Sequence, residues 1–507
     1  RDVEVPGKSS PPRLAALAPS PASHFIAGFS PHPRPLRPNP VKSRLHEPKT
    51  ETMTVITDKK AHSKTATPIL ATDAKRLPKL KEKLTPAQRR WVEASGFEAR
   101  AHTHCAVPGA KGDIDLVLVG VRDADDPWAL ASLPLKLAPG RYALGKGPVT
   151  IGEDHAAYGW SLGSYQFTRY KKARRKPADL ELAPSAKVAD ALGLAEAVKL
   201  VRDLVNTPAE DMGPAELSDV VREQADRFGA EFDEWVGEEL LAQNFPAIHA
   251  VGRAAKKEPR LLELNWGNAK HPRLAIVGKG VCFDTGGLDI KGAEGMRLMK
   301  KDMGGAAHAI ALASLVMQRK LPYRLQLLVP AVENAISGNA YRPGDVIRTR
   351  RGHTIEIGNT DAEGRVVLAD ALAYAAEDKP ALVIDFATLT GAARVALGPE
   401  LPALFANDEK LAAKLVAAGE AVEDPVWRMP LWRNYRRFFE SDVADFNNSG
   451  KGGFAGAIVA ALFLEHFVPE TTPWAHFDTY AWNDISRPGR PLGGEAMGLR
   501  AALKALL

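Results

Sequence analysis

The sequence predicts an α/β protein, with a smaller N-terminal α/β domain followed by a larger α/β sandwich on a mainly parallel central sheet. Along the second half of the 507-residue chain, apolar runs of strand length alternate with helix-length runs, which is typical of a parallel sheet covered by helices. Hydrophobic residues make up 45% of the chain and charged residues 25%, the usage of an ordinary globular protein. Composition therefore excludes a fibrous, coiled-coil or wholly disordered chain.

The first residues differ from the rest in charge and proline content. Residues 1–83 contain 16 lysines and arginines against seven aspartates and glutamates, and eleven of the 38 prolines fall in the first 50 residues. Because proline interrupts helices and central strands, we predict a disordered, basic, proline-rich tail over residues 1–68. Its first methionine is Met53, so the tail is either an inert segment or upstream translation artefact, or a targeting or polyanion-binding segment.

Residues 69–186 are predicted to form the N-terminal α/β domain. An apolar run at 114–121 indicates a strand, and residues 86–95 have the composition of a helix. A helix is then predicted over residues 188–206, where apolar residues recur at spacings of four, three and four along one face. We expect this helix to link the two domains.

Residues 187–507 are predicted to form the second domain, whose net charge does not favour nucleic acid. Residues 84–507 as a whole contain 51 basic against 54 acidic side chains, so a nucleic-acid partner is unlikely for the globular part. The alternation that predicts its sheet consists of strands at 273–278, 324–329, 381–386 and 474–480 and helices at 304–320, 363–377 and 454–467.

The lengths of the apolar runs and the number of cysteines indicate in which cellular compartment the protein is expected. The longest apolar run, Phe454–Leu464, is far shorter than the roughly 20 residues of a membrane-spanning helix. The two cysteines, Cys105 and Cys282, are too few for a disulfide scaffold and form no C-x-x-C motif. We therefore expect no membrane partner and a reducing, cytoplasmic location.

Two segments concentrate carboxylates near the ends of predicted strands, where open α/β sheets usually bind ligands. Asp284 and Asp302 follow the strand that ends near Gly278, and Asp284 is expected to lie exposed at the strand tip. Asp361 and Glu363 are two residues apart at a strand-to-helix junction, so an extended backbone would point both side chains the same way. The 13 histidines include no H-E-x-x-H motif, so any metal here must be bound mainly by oxygen.

Each of these acids has an ordinary structural interpretation when taken singly. Asp284 and Asp302 are suited to capping turns or helices, and first-turn acids are favoured by the helix dipole. Arg365 would then be the ion-pair partner of the acids that precede it. Together, however, four clustered carboxylates with only Lys291 and Arg365 as charged partners would repel one another. Two divalent cations would balance their charge.

The segments 277–291, 299–305 and 359–365, the last reading NTDAEGR, resemble the signature of the leucyl aminopeptidase (cytosol aminopeptidase) family of dinuclear metal exopeptidases. Residues 201–208 and 385–391 extend the resemblance, which covers roughly residues 188–507. It implies that residues 187–507 form a catalytic domain. By this resemblance the metal ligands are Lys279, Asp284, Asp302, Asp361 and Glu363, the catalytic residues are Lys291 and Arg365, and the substrate-pocket residues are Met299, Thr388 and Leu389.

The resemblance also implies a reaction and its partners. It implies an aminopeptidase that removes Leu and other bulky apolar residues from peptides with a free N-terminus, using two divalent ions per subunit. Zinc or manganese are expected, with magnesium or cobalt as alternatives, because oxygen ligation with one amine accepts several ions. Asp284 and Glu363 would bridge the ions, Lys279 would ligate as a neutral amine, and Arg365 would hold bicarbonate as general base. A homohexamer is also implied.

Two features depart from the family pattern, and two other functions stay open. Glu294 adds an acid after Lys291, and Tyr480 starts a Tyr-Ala-Trp-Asn run where small residues are expected. Both are expected to alter the shape of the pocket. One alternative is a DNA-binding regulatory protein on the same scaffold, for which the basic tail is the only support. The other is a metal-binding relic without activity.

Overall fold

The N-terminal part of the molecule is a mainly parallel six-stranded sheet with three helices. The computed structural model describes residues 54–57 and 66–507. The strands run in the order β1-β6-β5-β2-β4-β3, and every neighbouring pair is parallel except β3 with β4. The elements are β1 (Val55–Ile56), β2 (Thr67–Thr72), α1 (Leu77–Glu82), α2 (Pro86–Ala94), β3 (His104–Pro108), β4 (Ile114–Gly120), β5 (Arg141–Leu144), α3 (Glu153–Gly163) and β6 (Asp179–Glu181).

This sheet begins earlier in the chain than residue 69. Val55–Ile56 pairs in parallel with Leu180–Glu181, and β2 starts at Thr67. Val55 is 3% exposed, so the burial of an apolar side chain fixes a short strand that proline content and charge did not indicate. The rest of the tail predicted over residues 1–68, namely residues 1–53 and 58–65, lies outside the described residues. The DNA-binding alternative rests on that tail, so the described part of the structure adds no support to it.

The larger part contains a nine-stranded sheet. Its strand order is β16-β15-β18-β14-β9-β11-β8-β7, with β10 paired to β11. Strands β18, β14, β9, β11 and β10 are parallel, and β7, β8 and β15 are paired antiparallel. Its strands are β7 (Glu231–Val236), β8 (Arg260–Trp266), β9 (Arg273–Gly278), β10 (Gly280–Asp284), β11 (Arg324–Asn334), β14 (Leu382–Ala387), β15 (Ala403–Ala406), β16 (Trp427–Arg428) and β18 (Trp474–Asp478). A separate three-stranded sheet contains β12 (Val346–Arg348), β13 (Thr354–Glu356) and β17 (Phe446–Asn447), and a two-stranded sheet contains β19 (Trp482–Asn483) and β20 (Gly493–Gly494).

Helices cover both faces of this sheet. The central strand β9 shows why: Leu274 and Ile276 pack into one buried apolar cluster, and Ala275 and Val277 pack into another on the opposite face. Since successive strand residues face opposite sides, an uninterrupted apolar strand requires cover on both. The helices are α4 (Ala186–Asn206), α5 (Pro214–Phe228), α6 (Glu239–Ala242), α7 (Pro246–Gly252), α8 (Ala293–Met296), α9 (Gly304–Gln318), α10 (Glu363–Glu377), α11 (Gly391–Leu397), α12 (Glu409–Ala421), α13 (Gly456–Glu465) and α14 (Leu499–Leu506), with 3-10 helices at Met299–Met303 and Arg433–Phe439.

The fold class predicted from the sequence is therefore confirmed. The helix expected to join the two parts is α4, which begins at Ala186 because the Ser185 side chain accepts a hydrogen bond from the Val188 N–H. It packs against α3 on one side and α9 on the other. The sequence did not predict β10, a short strand inserted between β9 and the following turn, and this strand changes the position of Asp284.

Both cysteines are free and buried, in agreement with the prediction of no disulfide scaffold. Within residues 54–57 and 66–507, none of the helices combines the length and the apolar character needed to cross a bilayer.

Candidate active site

The parallel strands of the larger sheet bring chemically distinct side chains to one edge. Strands β9, β10, β11, β14 and β18 run in the same direction, so their carboxyl ends meet there. The residues at or directly after these ends are Lys279, Asp284, Asn334, Thr388 and Asp478. All five are buried. The sheet topology therefore gathers residues that are far apart in the sequence.

Asp284 is buried, with 2% of its surface exposed, although the sequence predicted an exposed strand tip. The reason is that Asp284 ends β10, which pairs with β11, and does not stand directly after β9. Asn334 Nδ2 and the Gly286 N–H donate hydrogen bonds to its Oδ1 at 2.8 and 2.9 Å. Gly286 and Gly287 have φ values of +87° and +65°, a left-handed turn that glycine adopts without strain.

Asp361 and Glu363 converge with Asp284. One carboxylate oxygen of each lies within 4.8 Å of the others, the spacing of a group that can share a metal ion. The backbone between them is not extended as predicted, because Ala362 has φ −107° and ψ 37° and Glu363 is already the first residue of α10. The two carboxylates therefore come together, as predicted, but a turn and not an extended backbone brings them there.

Lys279 joins Glu363 to the fourth predicted acid, Asp302. Its Nζ lies 2.7 Å from Asp302 Oδ2 and 3.0 Å from Glu363 Oε1, and it donates a hydrogen bond to the Thr388 carbonyl at 3.0 Å. Burial lowers the pKa of Lys279, but the carboxylates of Asp302, Glu363 and Asp284 outweigh burial and raise it above its ordinary value. Asp302 thus lies beside the three converging acids and is connected to them by Lys279.

Lys291 is the second cation at the cluster. Its Nζ lies 2.8 Å from Asp284 Oδ2 and also binds Asp361 Oδ1. Burial and the neighbouring Asp284 raise the pKa of Asp361 to about 6, against the opposing effect of Lys291. Burial and Asp284 likewise raise the pKa of Glu363 well above its usual range. Even beside the two lysines, Asp361 and Glu363 therefore bind protons more readily than ordinary carboxylates unless further positive charge is supplied to the cluster.

Arg365 is not the ion-pair partner that the structural interpretation of the sequence assigned to it. It lies on the first turn of α10, half-buried, and forms no ion pair with any residue that the structure describes. Its Nε is buried without a hydrogen-bond partner. Burial lowers the pKa of Arg365 to about 10, and Glu363 and Asp478 act in the opposite direction. Arg365 is not among the residues that line the cavity over the cluster.

A cavity of about 670 Å³ opens over the cluster. The predicted pocket residues Met299, Thr388 and Leu389 all line it, beside Lys279 and Lys291. The Thr388 hydroxyl donates a hydrogen bond to Asp302 Oδ1 at 2.8 Å. Thr388 therefore positions a carboxylate of the cluster as well as lining the cavity.

Comparison with known proteins identifies the family. Residues 199–502 match the catalytic domain of the cytosol aminopeptidase family, and residues 67–183 match the N-terminal domain of M17 aminopeptidases. The chain belongs to the cytosol aminopeptidase family. A probable cytosol aminopeptidase of Roseiflexus castenholzii is 44% identical over 364 residues, which cover 68% of this chain and 74% of that protein. The protein is accordingly a metallo-aminopeptidase, a peptide hydrolase.

Two solved structures share the fold. The cytosol aminopeptidase of Coxiella burnetii superposes with a TM-score of 0.86 at 50% identity, covering 89% of this chain and 98% of that chain. The bottromycin maturation enzyme BotP in complex with Mn has a TM-score of 0.77 at 33% identity, covering 90% of this chain and 99% of its own.

Sequence reasoning missed three groups of this aminopeptidase's cavity. Lys301 and Arg394 line it, and both lie against the ring of Tyr480, which the sequence had singled out only as a departure. Burial lowers the pKa of Lys301 to about 8. Asp478, at the end of β18, also lines the cavity. The two adjacent lysines at 300 and 301, directly before Asp302, could have indicated a cation near the site. Only the fold shows that Lys301 is the buried one.

Proposed function

We propose that this protein is a dinuclear metal aminopeptidase. The observation that carries the proposal is the convergence of Asp284, Asp361 and Glu363, whose carboxylate oxygens lie within 4.8 Å of one another in a buried cavity. Such a concentration of acids at a strand edge is the usual arrangement for divalent cations that prefer oxygen ligands.

The side chains present fit a pair of metal ions. Glu363 Oε2 is buried with no hydrogen-bond partner, so it has a free position for a cation. Lys279 and Lys291 now balance the acids, and Lys279 would have to lose its proton to become a ligand. The residues that would hold the ions are Lys279, Asp284, Asp302, Asp361 and Glu363.

The remaining groups have distinct roles in this mechanism. Divalent ions, when bound, polarise the scissile carbonyl and lower the pKa of a bound water. Lys291 remains cationic beside Asp284 and Asp361 and stabilises negative charge that develops on the carbonyl oxygen, usually a large contribution to catalysis. Arg365, which lacks an ion-pair partner among the described residues, holds a small anion. Bicarbonate, acting as general base, is the proposed anion.

The substrate is a peptide with a free N-terminus. Met299 and Leu389 give the cavity an apolar wall that suits the side chain of Leu or another bulky apolar residue. We propose Zn or Mn as the physiological ions, with Mg or Co as alternatives. BotP, a relative with 33% identity, is known in complex with Mn. A cytoplasmic homohexamer is the proposed form of the enzyme.

The test is hydrolysis of leucine p-nitroanilide beside its N-acetylated form. The enzyme is treated with a chelator and then supplied with Mn or Zn. Cleavage of the free-amine substrate alone, lost on chelation and restored by metal, is the expected result. Equal cleavage of both substrates, or cleavage that persists after complete metal removal, would contradict the proposal.

A further inference from the structure

Lys301 is a buried lysine in the wall of the candidate active-site cavity. It lies on the 3-10 helix Met299–Met303, one residue before Asp302, and is 6% exposed. Within the part of the chain that the structure describes, no hydrogen bond or ion pair engages its ammonium group. Lysine is almost never fully buried unless it is paired, because an unbalanced ammonium group is costly in a low-dielectric wall. The cavity therefore contains a positive charge whose partner is missing.

Apart from Glu294, an exposed acid that also lines the cavity, the acids of the cavity are bound to other groups. The carboxylate cluster is held by Lys279 and Lys291. Asp478 accepts hydrogen bonds from the backbone N–H and the hydroxyl of Thr390, at 3.2 and 2.6 Å. It interacts with Lys301 electrostatically but forms no ion pair with it. No described carboxylate, Asp302 and Glu294 included, forms an ion pair with Lys301, although Asp302 and Asp478 both interact with it electrostatically.

Tyr480 and Arg394 complete a cationic wall (Lys301, Arg394 and Tyr480). The Lys301 Nζ lies 4.8 Å from the centroid of the Tyr480 ring, and the central carbon of the Arg394 guanidinium lies 4.9 Å from it. Contact with a ring face stabilises a cation but satisfies none of its N–H donors. Arg394 forms no ion pair within the described chain, and the Tyr480 hydroxyl makes no hydrogen bond there. All three groups line the cavity with unused donors.

We infer that the cationic wall is a binding subsite for a carboxylate of the substrate. This inference rests on the proposed function and deepens it, because it adds an anionic requirement to the apolar wall of Met299 and Leu389. The aliphatic part of a glutamyl side chain would pack on that apolar wall, and its carboxylate would meet the unpartnered ammonium of Lys301. A hydrogen bond to a charged partner is stronger than a neutral one.

Two parts of a peptide supply such a carboxylate. One is the side chain of an acidic N-terminal residue, and the other is the terminal carboxylate of a dipeptide. The two sources are distinguished by pairs of ligands that differ only in the charge of one of these groups. Glutamate and glutamine p-nitroanilides test the side chain, and Leu-Gly and Leu-Gly-amide test the terminus.

The experiment measures the ratio of kcat/KM within each pair for the wild type and for Lys301→Met. A ratio within one enzyme cancels damage to the metal site, which adjoins Lys301. We expect the charged member of one pair to be favoured in the wild type, and Lys301→Met to lower that ratio about tenfold, the usual effect of losing a hydrogen bond to a charged group. Arg394→Met, at an exposed position, should lower it only about two- to threefold because solvent screens it.

Lys300→Met is the matched control. Lys300 is the adjacent lysine, but its ammonium donates to the Asn206 carbonyl at 2.6 Å and is not part of the cavity wall. Its removal should leave both ratios unchanged. A loss of selectivity in Lys300→Met equal to that in Lys301→Met would overturn the inference, because the effect would then be general.

The same preference is measured without turnover, by calorimetry of L-glutamate against L-glutamine and, in a Glu363→Ala background in which turnover is expected to be lost, of Leu-Gly against Leu-Gly-amide. A Kd ratio that favours the charged ligand and falls in Lys301→Met supports the subsite even if leucine p-nitroanilide is not cleaved, an outcome that would instead reject the proposed function. Ratios that are the same in the wild type and in Lys301→Met, for both pairs and both methods, would overturn the subsite while leaving the aminopeptidase intact.

Discussion

Gly364 lies directly against the side chain of Lys279: a methyl group at position 364 would come within 2.7 Å of the Lys279 Nζ and 2.5 Å of its Cε. Gly364→Ala is therefore expected to displace the ammonium group from Asp302 and Glu363. Because misplacing a catalytic group by about 1 Å can cost a hundredfold, we expect kcat/KM on leucine p-nitroanilide to fall about that much. The thermal midpoint should fall as well, because separating a buried ammonium group from its carboxylate partners is costly.

Gly338→Ala is the matched control for this substitution. A methyl group at position 338 would meet no atom within 4 Å, and Gly338 does not have a positive φ. Wild-type kinetics are expected for it. Full activity in Gly364→Ala would show that the position of Lys279 does not matter.

Glu363→Ala is expected to abolish turnover while the fold survives. Glu363 Oε2 is the buried oxygen without a partner, and Lys279 keeps Asp302 as a counterion when Glu363 is removed. The readouts are kcat/KM and the circular dichroism spectrum. Glu377→Ala, at the exposed far end of the same helix, is the control and should retain activity. Turnover of Glu363→Ala at the wild-type rate is incompatible with the proposed mechanism.

Metal binding should raise the thermal stability of the wild type. A ligand that binds only the folded protein stabilises it by about 4 kcal/mol at a thousand times its Kd. Addition of Mn or Zn to the chelated enzyme is therefore expected to raise the thermal midpoint, and Glu363→Ala should show a much smaller rise. An equal rise in both proteins would place the bound metal elsewhere.

A buried pair below the site predicts a pH-dependent stability. The His476 Nδ1 lies 2.6 Å from Asp385 Oδ1, and both side chains are 0% exposed. Burial lowers the pKa of His476, but Asp385, with a smaller effect of Asp478, raises it above 6.5. The folded protein thus binds this proton more tightly than the unfolded chain. The resulting stability is complete below about pH 6.5 and is lost as the pH rises through the folded pKa.

Asp385→Asn tests this relationship. Breaking a buried charged pair costs about 3–5 kcal/mol, so the variant should melt well below the wild type at about pH 5.5, where free histidine is charged. The gap should narrow at about pH 8.5. His353→Gln, at a side chain that is 37% exposed, should show no such change. A gap that does not vary with pH would refute the titration of His476.

Asp370 is predicted to hold α10 in place by its backbone contacts. Its Oδ2 accepts hydrogen bonds from the N–H groups of Ala247 and Ile248 at 2.8 and 3.3 Å, and its Oδ1 accepts one from Arg350 at 2.7 Å. An amide offers only one accepting oxygen, so Asp370→Asn should cost about 1–3 kcal/mol. Chemical denaturation at about pH 8 measures it, above the pKa of about 7 to which burial raises this carboxyl. Asp442→Asn, at an exposed acid with no ion pair among the described residues, should be nearly neutral.

The sequence predicted four strands of the larger sheet, β9, β11, β14 and β18, and the main helices beside them, but not β7, β8, β15 and β16. Helix α10 spans Glu363–Glu377 as expected, and β9 spans Arg273–Gly278. These elements follow from local periodicity, because an apolar run with cover on both faces can be recognised from a few neighbouring residues. The strand Val55–Ile56 and β10 were missed because they are short and are fixed by pairing with distant residues.

By itself, the sequence determined which chemical groups this protein brings to its site, because acids at strand ends and the NTDAEGR run are properties of the chain. Only the tertiary structure decided how those groups are paired. It buried Asp284, placed Lys279 between Asp302 and Glu363, and left Arg365 and Lys301 without ion-pair partners in the described chain. The physical reason is that charge balance and burial depend on which groups come close in space. Lys279 and Thr388, for example, are 109 residues apart in the sequence and yet form a hydrogen bond, and local sequence patterns do not reveal such contacts.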